Sequence, residues 1–555
     1  MLWLLSDACS MTLKPDSYND PFKAFIIWAD GNRSAIPEDF KTEDIALFEE
    51  IIDEITEPKL RARIADLLWL LKKPKNKEFA LKSIDAYRQT PLTTENWVRD
   101  EKCWERAIQL CMMLKAGSGT RLQEIEVELI LSIKNATKED KFFALKLSDL
   151  LAKYSNHQLE IAEKLEKLAH EFEELSDFYV SREYFSAASD SYKRIKMLEK
   201  SIEMTIKVAE GWVKEAIVRQ SCSSSPSNIA AASFYENAIQ TYRKIPNTYK
   251  TAKNLDNRIT ELRTELNLAN EKSITEMGVI STEIDIRDLI ENAKNAVEGK
   301  KTFDALLALA NIYRAKAQRV KESSERSIRK YPLSNLFSGV CLGKGGRVIA
   351  KSPATNFGDE LDETAVRKKM IDEYSMEINL VVQSQIWTAL EVIRLEHRIT
   401  EMDFYSIVRN SPVVPEGRER LIAKALFAGY DNDFVTALHI LVPQIEHLVR
   451  VHLKKAGVKT STLDKNGIET ENGLTTLMEN PEVNTIFGED LAFEFKALLC
   501  DSFGANLRNE LAHGLIEYEE CYSISSIYAW WLMLRIVFNT FWNAKMASQH
   551  SEKQE

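Results

Sequence analysis

The chain has 555 residues, 45% of them hydrophobic, and a formal net charge of −11. That length supports two to four domains, each with enough apolar material for a core. Only 19 Gly and 14 Pro punctuate it, which favours helices over a sandwich or barrel, and the acidic balance excludes a globally basic nucleic-acid surface, so any polyanion contact must be local.

Seven cysteines (9, 103, 111, 222, 341, 500 and 521) are scattered without a CxxC pair. That pattern excludes a disulfide framework or zinc module and fits a reducing cytoplasm. No His, Asp or Glu cluster has metal-ligand spacing, so neither metal nor cofactor is expected.

Residues 1–58 form an N-terminal segment. MLWLLSDACS is apolar but too short for a secretory leader and has no basic flank; Met1 and Met11 are both possible starts. LKPDSYNDP is turn-prone, and a helix is predicted near Thr42–Ile55.

Residues 59–330 read as helix after helix, with apolar residues at i, i+3 and i+4. Ala144–Tyr154, Leu159–Leu175, Ala187–Ala209 and Ala230–Ile245 are the clearest. FSAASDSYKRI (185–195) and YENAIQTYRKI (235–245) align, sharing an aromatic, an Ala, a Tyr, a basic residue and a final Ile. SIDAYRQTP (83–91) echoes the Tyr-Arg end. Small residues followed by a Tyr one or two turns later resemble tetratricopeptide-type helical pairs, so a helical-hairpin array is expected; a non-repetitive helical domain is the alternative. The end of this region carries seven cations against two Glu: Arg314, Lys316, Arg319, Lys321, Arg326, Arg329 and Lys330. On a helix these make a basic face, either a solvated surface or the best local candidate for an RNA contact.

Residues 331–400 change character. Two short β-type runs flank Gly343-Lys344-Gly345-Gly346, which predicts a β-hairpin. Its GxxxGK is one residue short of a phosphate loop and lacks the following Ser or Thr. A polar linker (354–365) and a long helix, Thr364–His397, follow.

Residues 401–555 carry the chemical signature. Pro415 suits the start of a helix to about Ala428, and Gly429 suits its end. Four further helices are predicted. The first, Asp433–Ala456, has Leu438, Leu441, Ile445, Leu448, Val449 and Leu453 as its apolar stripe and Pro443 inside it. A polar loop, STLDKNGIETENG, separates it from Glu489–Ser502. A short helix, Ala505–His513, and an aromatic one, Ser523–Ala547, complete a bundle. The apolar run Ile527–Trp542 is interrupted by Arg535 and Asn539 and reads as a buried helix; no membrane partner is expected.

The short helix contains RNELAHG (508–514). Asn509 and His513, four apart, share a face. Arg508 and His513 lie about 140° apart around an ideal helix. They converge on one ligand only if the helix frays near His513 or a second copy supplies the complement. Gly514 permits the fraying by ending the helix.

R-x4-H is the spacing of the HEPN ribonucleases (higher eukaryotes and prokaryotes nucleotide-binding), which are small helical bundles. The fuller RN-x3-HG resembles a mostly bacterial domain family with this signature near its C-terminus, and LVPQIEHLVR resembles the strongly patterned helix of that family. The resemblance covers roughly residues 400–547. It implies a metal-independent endoribonuclease, with Arg508 and His513 as the catalytic pair and Asn509 orienting the pair or the phosphate. It also implies a homodimer, because such sites form where two bundles meet. The chemistry suits these residue types: imidazole moves protons, and guanidinium matches phosphate with two parallel donors. Glu446 and Arg450, one turn apart, either brace the site or form an ordinary intrahelical salt bridge.

Against this stands charge. Residues 432–547 hold nine Lys and Arg against fifteen Asp and Glu. Substrate contacts would have to come from the 314–330 run or from Lys344, Arg347 and Lys351 of the hairpin. The expected function is a cytoplasmic endoribonuclease, a toxin or antiviral effector gated by its helical array through a protein trigger or neutralising partner. The alternative is a non-catalytic binding or dimerisation scaffold, in which Arg508 pairs with an acid such as Asp501 and His513 caps its helix.

Overall fold

A computed structural model describes residues 2–28, 31–154, 159–222, 225–278, 281, 283–354 and 361–552. The chain is all-α: among the described residues, helices are joined by three two-stranded antiparallel pairs. It divides into two compact units, Met1–Met277 and Gly278–Glu555.

The first unit is built of antiparallel helices packed on their chain neighbours. Leu159–Glu174, Phe178–Arg194, Leu198–Ser221, Asn228–Arg243 and Leu255–Ile274 form its later part. The single helix expected over 187–209 is two. The chain turns at Ile195–Met197 with Lys196 at φ +65° and no Gly or Pro to announce the break.

The repeat echo has a structural cause. Tyr192 donates to Glu166 on the preceding helix, and Tyr242 does the same to Glu210. Tyr87 donates to Asp66 at 3.3 Å. Each carboxylate also takes a cation from a later helix: Lys200 for Glu166 at 3.1 Å, Arg258 for Glu210 at 2.9 Å and Arg106 for Asp66 at 2.9 Å. The same acid–Tyr–base clamp therefore ties three helices together at three places, with the short helix Asn247–Ala252 intervening before the one that carries Arg258. Phe185, Ala188, Tyr235 and Ala238 are buried around it.

The second unit is centred on the aromatic helix Ile524–Glu552. It packs against Thr302–Ala310, Glu363–Val381, Glu401–Arg409, Glu419–Tyr430 and Phe434–Lys455. Its buried indoles keep hydrogen-bond partners: Trp530 donates to the Leu426 carbonyl at 3.0 Å and Trp531 to that of Leu309 at 2.9 Å. Gly429 does not end its helix. It lies inside Glu419–Tyr430, where a Cβ would sit 2.3 Å from the Trp530 ring. Asn432 at φ +69° makes the turn instead, and Asp433 caps the next helix by accepting from Thr436 N at 2.9 Å.

Phe434–Lys455 runs through Pro443 and buries the predicted stripe. It is long and apolar enough to cross a membrane, but half of that stretch is buried in the unit. The polar segment after it is not a plain loop. Ser461–Leu463 pairs with Glu469–Glu471, and the short helices Leu474–Met478 and Glu482–Phe487 follow. Glu489–Phe495 continues as a π-helical turn, Lys496–Cys500.

The basic run forms the helix Ala317–Lys330, which packs on Glu363–Val381 within the second unit and buries Val320, Ser324 and Ile328. The expected hairpin is present, with Gly339–Leu342 antiparallel to Val348–Ser352. Residues 355–360 of the expected linker lie outside the described residues.

Candidate functional site around His513

The helix carrying the signature spans Leu507–Ala512. Its approach is fixed by close packing: a Cβ on Gly504 would lie 2.1 Å from the Ala497 carbonyl oxygen. Asn506, left-handed at φ +49°, starts the helix, and Leu507 anchors it in the core. Left-handed backbone is tolerated by Asn better than by most residues. His513 is the C-cap, its N–H bonded to Asn509 O at 3.0 Å, and Gly514 at φ +66° turns the chain away.

Arg508 points back to the stripe helix. Its Nε donates to Glu446 Oε2 at 2.8 Å, and one terminal nitrogen donates to Asn509 Oδ1 at 3.2 Å. Asn509 Nδ2 in turn donates to Asn506 Oδ1 at 2.9 Å. Glu446 also accepts from Arg450 at 2.7 Å, and Arg450 reaches Asn472 O at 2.7 Å. Burial pushes the Glu446 carboxyl up, but the bonds from Arg508 and Arg450 outweigh it and hold the group below the usual value. Glu446 and Arg450 thus form the intrahelical pair, and the same carboxylate braces Arg508. Asp501 pairs with Arg367 at 3.3 Å, not with Arg508.

His513 is exposed and lines a shallow depression with Arg347, Asn506, Asn509, Glu510 and Leu515. Within one chain, Asn509 and His513 share this depression, whereas Arg508 stands behind Asn509 and is not part of its lining. Arg347 comes from the hairpin. That hairpin meets the segment following the signature through Lys344, which pairs with Glu517 at 3.1 Å and Glu520 at 2.8 Å.

The basic helix is elsewhere, and none of its residues lines the His513 depression. Arg314 and Lys316 precede that helix, so five of the seven expected cations lie on it, and several of the seven are engaged in ion pairs. Lys316 and Arg314 face Asp490 at 3.0 and 3.8 Å, Arg319 pairs with Glu377, and Lys321 faces Glu325 at 4.0 Å. Arg326, Arg329 and Lys330 are exposed, with Lys330 over the Tyr331 ring. Of the stripe-helix histidines, His439 and His452 hydrogen-bond to backbone carbonyls, and burial pushes the His447 imidazole down. Among the described residues, no group of three or more His, Cys, Asp or Glu could hold a metal ion.

Sequence reasoning missed Asn506, Glu510 and Leu515. Asn506 falls inside the helix expected over Ala505–His513, which hides its role as the cap of a helix that begins at Leu507. Leu515 had no signal, because its placement depends on the turn at Gly514, whereas Glu510 follows Asn509 on the same short helix.

Residues 1–123 match the family model of a domain of unknown function, DUF7380. This stretch contains the Asp66–Tyr87–Arg106 clamp. No curated protein matches the chain. A solved structure described as a circular tandem repeat protein with novel repeat topology and enhanced subunit contact surfaces is 12% identical. The alignment covers 91% of each chain with a TM-score of 0.12.

Proposed function

We infer that the second unit is a HEPN-type, metal-independent endoribonuclease module of a cytoplasmic protein, and that the helical first unit senses a trigger or a neutralising partner. The carrying observation is the exposed His513 imidazole beside Asn509 in a surface depression, with Arg508 fixed behind Asn509 by Glu446. In this reading the imidazole takes the ribose 2′-OH proton as that oxygen attacks phosphorus. The P–O5′ bond breaks, and the departing oxygen takes a proton from an acid, leaving a 2′,3′-cyclic phosphate and a 5′-hydroxyl. A second copy would supply the complementary Arg508–His513 pair and the acid, so a homodimer is the working form. An RNA-cleaving effector of this kind suits a toxin or antiviral role.

The test is purified protein, beside Arg508→Ala/His513→Ala, incubated with total RNA in EDTA and followed by analysis of product ends. Cleavage by wild type alone, with cyclic phosphate ends, supports the reading. Equal cleavage by both proteins, or none under any oligomeric state and trigger tried, sinks it.

The engaged state of Arg508 favours a second reading, a non-catalytic bundle used for binding or dimerisation. It predicts that the double mutant keeps every binding activity of the wild type.

A further inference from the structure

The His513 depression contains a cation that the signature does not provide. Arg508 spends its Nε on Glu446 and a terminal nitrogen on Asn509. Arg347 is exposed and lines the depression directly. Among the described residues its guanidinium has no hydrogen-bond or ion-pair partner. An Arg held in place yet left unpaired keeps its two parallel donors available, the geometry that matches a phosphodiester.

Arg347 is also held by structure. It sits where the hairpin turn re-enters its second strand, with Gly343 N bonded to the Arg347 carbonyl at 2.8 Å and Gly346 at φ +71°. Lys344 fastens the same turn to Glu517 and Glu520, which follow His513 by four and seven residues. The hairpin is thus tied to the segment that completes the depression. The one acid in the lining, Glu510, opposes an anion, and this makes a cation there more necessary. The acidic balance of residues 432–547 adds to that need.

We propose that Arg347, delivered by the Gly339–Ser352 hairpin, is the phosphate-binding residue of the His513 depression and grips the backbone of single-stranded RNA. The proposal rests on the ribonuclease reading for its substrate class. The hairpin is then part of the site rather than a decoration of the connector, and the unit gains the local positive charge that its composition lacks.

The experiment uses the full chain carrying His513→Ala, alone and combined with Arg347→Ala or Arg347→Lys, and a fluorescent single-stranded RNA in EDTA. Affinity is read against salt, and cleavage is read in the matching His513 proteins. Arg347 is exposed, so the variants keep the wild-type unfolding curve. Arg347→Ala is expected to weaken binding roughly tenfold and to lower the salt slope by about one, with Arg347→Lys in between. In the cleaving background the same change raises KM more than it lowers kcat. Unchanged affinity and salt slope in Arg347→Ala overturn the proposal, whether or not the wild type cleaves. RNA binding that depends on Arg347 without any cleavage keeps the phosphate contact and removes the nuclease reading. No RNA binding by any form overturns both.

Discussion

Arg508 donates its Nε–H to Glu446 at 2.8 Å, joining two helices whose residues are 62 positions apart. The same carboxylate takes Arg450, so one half-buried acid neutralises two arginines. Removing it leaves Arg508 without its acid, while Arg450 keeps the Asn472 carbonyl at 2.7 Å and Glu471 at 3.2 Å. Glu446→Ala should therefore lower stability by about 1–3 kcal/mol and reduce any RNA cleavage, since Asn509 loses the fixed Arg508 beside it. Denaturant unfolding measures the first effect and the EDTA assay the second. A Glu446→Ala chain as stable as wild type would show that the pair holds nothing.

The pH dependence of that pair has a definite sign. The folded Glu446 carboxyl lies below its ordinary value of about 4.3, so the unfolded chain binds the proton more readily. Its contribution is fully present above the ordinary value and is lost as pH falls through the lower folded value. Glu494 runs the other way. Burial pushes it up despite Arg535 and a 2.5 Å bond from Tyr528, so its contribution is largest below the ordinary value and fades as pH rises through the raised folded one. Acid titrations of stability in Glu446→Gln should show a shallower loss below about pH 4 than wild type. A steeper loss would assign the acid limb to other carboxylates.

The three acid–Tyr–base clamps of the first unit should differ in weight by burial. Asp66 and Arg106 are fully buried and paired in two places, so Arg106→Met strands a buried carboxylate and should cost roughly 3–5 kcal/mol. Lys200 is 43% exposed beside Glu166, and Lys200→Met should leave stability nearly unchanged. Tyr192→Phe and Tyr242→Phe each remove one hydrogen bond, about 1 kcal/mol apiece. Equal losses for Arg106→Met and Lys200→Met would mean that burial does not set the strength of the clamp.

These clamps also explain what was legible in the sequence. The Tyr positions were visible because Phe185 and Tyr235, Ala188 and Ala238, and Tyr192 and Tyr242 keep one spacing along a single helix. The acids and bases were not, because Asp66, Glu166 and Glu210 stand at unequal distances before their Tyr, set by loop lengths that no helical period encodes. The same limit applies at the candidate site. Glu446 with Arg450 was readable as an i, i+4 pair. Arg508 with Glu446 was not, because several acids compete for each Arg and only the packing decides. Gly429 was expected to end a helix on propensity; the Trp530 ring requires Gly inside it. The hairpin was legible from its turn, but its place beside His513 follows from Lys344 meeting Glu517 and Glu520.

Those Lys344 contacts can be separated from Arg347. Lys344→Ala removes both surface ion pairs, which individually contribute little to global stability. The unfolding curve should not move, while RNA affinity should fall, because Arg347 is then held less firmly over the depression. Charge reversal at both partners, Lys344→Glu with Glu520→Lys, should recover part of the affinity. Full affinity in Lys344→Ala would mean that strand pairing alone positions Arg347.

Gly504 separates placement of the signature from its chemistry. Its missing Cβ is required because Ala497 O would lie 2.1 Å away, and that atom is backbone, which no side-chain rotation relieves. Gly504→Ala must therefore shift the segment that carries Asn506 and Arg508. His513→Ala touches an exposed side chain at the end of the same helix and shifts nothing. On the ribonuclease reading, both variants should lose cleavage. Gly504→Ala should also lower the unfolding midpoint and slacken amide protection across Leu507–Ala512, whereas His513→Ala should match wild type in both. If Gly504→Ala keeps activity, the close approach of Ala497 does not set the geometry of the site.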